Sequence, residues 1–89
     1  MTAQGKARVR SDAAVWRELD GETVILDLAS GSYLGLNETG SRLWRALVDG
    51  ASRAELAALL RREFDVSAED ALRDVDQFLE ACRTRGLVE

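Results

Sequence analysis

At 89 residues the chain has room for one domain and a modest core. With 46% apolar and 31% charged residues, its balance is that of a globular domain and not of a disordered segment. The formal charge of −4 weighs against a phosphate-backbone ligand, and the lack of histidine removes the common catalytic triads and histidine metal sites.

No apolar run approaches the roughly 20 residues of a membrane span. Residues 1–12 hold no hydrophobic stretch suited to a signal peptide, so a cytoplasmic location is the expectation. That segment, with Lys6, Arg8 and Arg10, reads as a flexible, solvated arm before a single domain over residues 13–89. The lone cysteine, Cys82, lies at helical spacing from Val75, Phe78 and Leu79 and reads as a buried small hydrophobe.

Strands come first. Residues 15–19 and 22–28 flank Asp20-Gly21, a dipeptide suited to the positive φ angles of a type I′ hairpin. A two-residue loop there sets Val15 opposite Leu26, Trp16 opposite Ile25 and Arg17 opposite Val24. Ala29-Ser30-Gly31 then turns the chain into residues 32–36. A three-residue loop with Gly31 left-handed pairs Leu26 with Leu34 and Val24 with Leu36. The expected inner face is therefore Val24, Leu26, Leu34 and Leu36, with Trp16, Ile25 and Tyr33 on the other side.

Helices follow. Leu43, Trp44, Leu47 and Val48 make an apolar stripe that Asn37 or Thr39 can cap, and Asp49-Gly50 ends it. Ser52 and Glu55 form a capping box for a second helix carrying Leu56, Leu59, Leu60 and Phe64. Ser67 caps a third, with Asp70 in the reciprocal place, and Gly86 suits a left-handed cap that folds Leu87 back toward Cys82. A three-stranded antiparallel sheet followed by three helices, packed on one sheet face, is an α+β, winged-helix-like domain.

Little in this chain suggests catalysis. The third helix carries Glu69, Asp70, Asp74, Asp76 and Glu80 interleaved with arginines, the pattern of a solvated, charge-paired face. Ser52 and Ser67 are explained as caps, and Ser30 and Ser32 as turn residues. No enzyme activity, metal or cofactor is expected.

Two features exceed what folding needs. Trp16, Ile25 and Tyr33 would make an apolar patch, either a partner surface or one covered by the amino-terminal arm. Residues 32–36 should leave one sheet edge unpaired, and Tyr33, Leu34, Gly35 and Leu36 carry no charge or proline to blunt it. Such an edge either accepts a peptide as an added strand or is covered by the third helix or a second copy.

The run LDLASGSYLGLNETGSRLW, from Leu26 to Trp44, followed by Asp49-Gly50, DVDQFL and RGLV, resembles a known peptide-recognition family. That family is typified by coenzyme PQQ synthesis protein D and is also called the RiPP recognition elements. Its landmarks fall here on Leu36-Asn37, Gly40, Trp44, Asp49-Gly50, Asp74-Val75, Phe78-Leu79 and Gly86-Leu87, across residues 15–89. The resemblance implies three strands, then three helices, and binding of a ribosomally made precursor's leader peptide. The leader would add to the third strand and lie in the groove beside the third helix.

Carried over by position, Ser32, Tyr33, Leu34, Gly35 and Leu36 would supply the backbone ladder. On an ideal helical wheel Leu72, Val75, Asp76, Leu79 and Arg83 would form the opposite wall, and the sheet-face patch of Trp16, Ile25 and Tyr33 would dock the leader peptidase or part of the leader. The D-x-x-x-G-x-Y-x-x-L-N form from Asp27 to Asn37 is similar to stand-alone elements of lasso-peptide pathways. There a separate leader peptidase and then a cyclase act on the precursor. A PQQ-pathway peptide chaperone is the lesser alternative, because the proline-containing strand motif is missing. A winged-helix DNA-binding regulator is the alternative from another class; Arg53, Arg61 and Arg62 favour it, and the acidic third helix opposes it.

Overall fold

The computed structural model describes residues 5–89. Strands β1 (Ala14–Leu19), β2 (Glu22–Asp27) and β3 (Tyr33–Leu36) form an antiparallel sheet in the order β1-β2-β3. Helices α1 (Glu38–Asp49), α2 (Arg53–Glu63) and α3 (Ala68–Thr84) follow. The α+β, winged-helix-like architecture is the expected one.

Local chemistry accounts for most boundaries. Asp20 and Gly21 both take positive φ, +53° and +82°, which turns β1 into β2 with a twist matching the strands. The pairs Val15 with Leu26, Trp16 with Ile25 and Arg17 with Val24 are as expected. Asn37 caps α1 by accepting from the Gly40 N–H at 2.9 Å. Ser52 and Glu55 make the reciprocal box on α2, at 3.1 and 2.9 Å. Ser67 caps α3 through the Asp70 N–H. At the far end Gly86, with φ +72°, lets the Leu87 N–H donate to the Cys82 carbonyl and its own N–H to that of Arg83. This is the Schellman arrangement, and it buries Leu87 completely.

The second hairpin departs from expectation. Asp27 N–H donates to the Ser32 carbonyl at 2.9 Å, so four residues, Leu28 to Gly31, make the loop. The Asp27 carboxylate fixes it by accepting from the N–H groups of Ala29 and Ser30. Gly31 is left-handed, as expected, at φ +75°. The longer loop slips the register by one residue, pairing Ile25 with Leu34 and Thr23 with Leu36. A one-residue slip turns a whole strand over relative to its neighbour. Leu34 and Leu36 therefore point inward as expected, but Thr23, Ile25 and Asp27 join them, all buried, while Val24 and Leu26 face outward.

Trp16 follows Ile25 to the inner face. Its ring meets that of Trp44 edge to face, centroids 5.4 Å apart, over a core that also holds Leu43, Leu47, Leu56, Leu60 and Val75. Glu18, also on that side, pairs with Arg45 of α1 through two N–H donors at 3.1 and 2.7 Å. This pairing holds the Glu18 carboxyl below its ordinary range.

Thr23 is fully buried and its hydroxyl has no hydrogen-bond partner. Leaving such a group unsatisfied costs about 1–3 kcal/mol. Thr23→Val, which keeps the shape and removes the hydroxyl, should therefore stabilise the fold by about 1 kcal/mol. A thermal melt should rise by roughly 4–8 °C for a domain of this size, and a fall would contradict the assignment.

The expected flexible arm is attached wherever it is described; residues 1–4 lie outside the described residues. Ala7 exchanges backbone hydrogen bonds with Ala51 at 2.8 and 2.9 Å, Val9 donates to Leu47, and Arg10 donates to Leu87. Ala7 and Val9 are buried between the end of α1 and the carboxyl-terminal tail, while Lys6, Arg8 and Arg10 stay exposed. The described part of the segment thus straps the helical layer.

Candidate peptide-binding edge and groove

Among the described residues β3 has one strand neighbour, β2. Hydrogen-bonded and non-hydrogen-bonded pairs alternate in an antiparallel ladder. The bond between Asp27 and Ser32 therefore assigns Ile25–Leu34 and Thr23–Leu36 to the hydrogen-bonded set. Tyr33 and Gly35 belong to the other set, so their N–H and C=O groups point away from β2 into the open edge. Both residues are exposed, Tyr33 at 72%. Of the five expected ladder residues, Tyr33 and Gly35 present the edge. Leu34 and Leu36 supply half-buried side chains beneath it, and Ser32 closes the hairpin loop.

The floor beside the edge comes from α1. Its first turn sits close against β3: a Cβ on Gly40 would lie 3.3 Å from the Leu36 Cβ, so glycine permits the approach. Ser41 adds a hydroxyl bond to the Leu36 carbonyl. Between this turn and α3 lies a cleft of about 420 Å³, walled by Asn37, Thr39, Gly40 and Leu43 on one side and Asp74, Gln77 and Phe78 on the other. At the hairpin end Arg85 lies 4.0 Å from the Asp27 carboxylate. α3 therefore runs antiparallel to β3, with Asp74 at one end of the groove and Arg85 at the other. Phe78 is half-buried at the groove wall.

The helix wall differs from the expected arc. Val75 and Leu79 are buried in the core at 0% and 4% exposure. Asp76 faces α2, where it accepts two hydrogen bonds from Arg53 at 2.6 and 2.9 Å, and that pairing lowers its pKa. By helical spacing Leu72 and Arg83 share the Asp76 side. An ideal wheel offers two flanks to the core stripe, and α2 covers the one that was expected to be open. The α3 residues that line the cleft, and that the expected arc leaves out, are Asp74, Gln77 and Phe78. Phe78 carried the available signal, a large apolar residue at the border of the Ala71–Val75–Cys82 stripe.

Ile25 lies on the inner face with no exposure and has no surface to offer a partner, while the half-buried Trp16 packs its ring inward on Trp44. Tyr33 alone of that expected trio faces out. The outward sheet face bears Val15, Leu19, Val24, Leu26 and Tyr33, around a shallow depression of about 410 Å³ whose lining also includes Trp16 and Arg17. Cys82 is buried, and burial pushes its thiol up to about 11, the condition of an inert side chain. Among the described residues no helix is long and apolar enough to cross a membrane.

Comparison with known proteins places this geometry in a family. The solved structure of TbiB1 in complex with the TbiA(beta) leader peptide is 35% identical and superposes with a TM-score of 0.83, over 92% of this chain and 94% of that one. A lasso peptide synthetase B1 complexed with its leader peptide is 31% identical, with a TM-score of 0.80 over 93% and 96% of the two chains. No curated protein matches the chain closely enough to count as a relative. Residues 22–88 match the family described as Coenzyme PQQ synthesis protein D, and the match spans β2 to the carboxyl-terminal tail. The chain belongs to the PqqD family.

Proposed function

We propose that this protein binds the leader of a ribosomally made precursor peptide as a fourth strand on β3, and so acts as a RiPP recognition element in lasso-peptide maturation. The carrying observation is the unpaired edge of Tyr33 and Gly35, with Leu34 and Leu36 half-buried beneath it and the cleft of Asn37, Gly40 and Phe78 at its α1 end. Backbone bonds along the edge supply affinity, and the groove reads alternate leader side chains. The two B1 proteins solved with leader peptides support the same role here.

The protein works without catalysing a bond change. Holding the leader raises the effective concentration of the attached core peptide at a separate leader peptidase, and afterwards at a cyclase. All of this takes place in the cytoplasm. A DNA-binding role is disfavoured by α3, where Glu69, Asp70, Asp74, Asp76 and Glu80 outnumber Arg73 and Arg83.

The test is titration of a fluorescent synthetic leader, taken from the precursor encoded beside this gene, against the folded protein. Saturable binding at micromolar concentration or tighter is expected; no binding at tens of micromolar would refute the proposal. The two candidate arcs of α3 separate in the same assay. Phe78→Ala should weaken binding about tenfold or more, as loss of an aromatic groove contact does. Asp76→Asn, on the α2 side, should leave the affinity within about twofold. The reverse ranking would return the groove to the other arc.

A further inference from the structure

Gly35 sits in the middle of β3, yet the free protein gives no reason for a glycine there. Its φ is not among the positive ones, and a Cβ built on it would meet nothing within 4 Å. A strand favours β-branched or aromatic residues over glycine, which adds backbone entropy and no packing. Gly40, by contrast, is explained by the close approach of Leu36. A strand glycine with neither turn nor contact marks a place where something else comes close.

The register says what would lie there. On the outward face two cross-strand rows run toward the open edge, Val15–Leu26–Tyr33 and Arg17–Val24–Gly35. The first ends in an exposed tyrosine. The second ends in a notch, with the apolar side chain of Val24 behind it and Tyr33 beside it. Val24, Leu26 and Tyr33 also line the outward depression of about 410 Å³.

A strand added at the edge pairs its hydrogen-bonded residues with Tyr33 and Gly35, and those residues project to the outward face. Adjacent strands lie about 4.8 Å apart, which puts β2 about 9.6 Å from an added strand, so a long side chain opposite Gly35 can lie across the glycine and meet the Val24 side chain reaching from the other side.

Building on leader binding at β3, we propose that the leader is read on both faces of the extended sheet. Its groove-facing residues meet Leu34, Leu36 and Phe78. The residue opposite Gly35 carries an aromatic or long aliphatic side chain, which lies across the glycine against Tyr33 and Val24. Gly35 is thus a specificity-determining position that selects a bulky leader side chain by leaving room for it.

The experiment is an alanine scan of the synthetic leader against the wild type and Gly35→Val. Valine suits a strand and meets nothing, so the thermal midpoint of Gly35→Val should equal or exceed that of the wild type. Its leader affinity should nevertheless fall about tenfold or more, a change outside the usual scatter of independent sites. One bulky leader position should cost about tenfold when cut to alanine in the wild type, and less than about twofold in Gly35→Val. The inference is overturned if the wild type binds the leader but Gly35→Val binds within twofold. It is equally overturned if no leader position couples to residue 35. Should Gly35→Val melt lower than the wild type, the wild-type scan decides alone: a tolerance of alanine at every outward-facing leader position sinks the idea. Failure of the wild type to bind any leader is a different result, because it removes strand addition itself.

Discussion

Proline at Tyr33 or at Gly35 is expected to weaken leader binding sharply and leave the domain folded, whereas proline at Leu34 is expected to unfold it. The difference follows from the direction of three N–H groups. Those of Tyr33 and Gly35 point into the open edge, and that of Leu34 points into the ladder with Ile25. Proline is tolerated on an edge strand where its missing N–H faces solvent, and not where it takes a bond from the sheet. At Gly35 a built Cβ meets nothing within 4 Å, and the ring's Cδ would take the place of an N–H that faces the open edge. Each edge proline removes one donor and leaves a leader carbonyl unsatisfied, which together should weaken binding by about 10- to 100-fold. Circular dichroism with leader titration on all three variants checks this. A Leu34→Pro variant that folds and binds, beside a Gly35→Pro variant that has lost its fold, would reverse the assigned edge.

The largest expected effect on stability comes from Trp44→Ala. Trp44 has no exposed surface and stands edge to face with Trp16, where α1 crosses the sheet. Truncating a buried tryptophan costs about 3–5 kcal/mol through lost transfer energy and the cavity left behind. A domain this small has a total stability near the low end of about 5–15 kcal/mol. The variant should therefore be largely unfolded at 37 °C, with a midpoint at least about 12 °C lower. A fall of less than about 5 °C would mean that the core is not organised around this contact. Trp16→Glu belongs to the same class. Its side chain is half-buried on the inner face, so a charge there should lower the melting point before it touches any partner complex.

How much of this was legible in the sequence depended on the range of each interaction. Caps and turns are local: Ser52 with Glu55, Ser67 with Asp70, Asn37, Asp20-Gly21 and Gly86 did as their positions required. The three strands, the three helices and the free edge of β3 followed from them. What failed was tertiary choice. Val24, Leu26 and Leu28 look more like an inner face than Thr23, Ile25 and Asp27 do. The Asp27 carboxylate, however, sets a four-residue loop by binding Ala29 and Ser30, and the Trp16–Trp44 contact fixes the face.

The arm failed differently. Ala7 and Val9 alternate with Lys6, Arg8 and Arg10, a period of two that reads as a strand; so short a segment has no local signal for the partner it pairs with. The groove arc of α3 was ambiguous for a similar reason. Apolar spacing locates the core stripe of Ala71, Val75, Leu79 and Cys82, but only packing reveals which flank α2 takes. Phe78 is where the two kinds of information meet, as a family landmark in the sequence and a groove wall in the structure.

The central claim, that a leader becomes the fourth strand at β3, is tested most directly by amide hydrogen exchange with and without saturating leader. In the free protein the amides of Tyr33 and Gly35 should exchange rapidly, because their donors face solvent, while that of Leu34 should already be protected. Saturation with leader should slow Tyr33 and Gly35 strongly and change Leu34 less. A leader that binds but leaves Tyr33 and Gly35 exchanging as in the free protein would contradict strand addition and move the binding site off this edge.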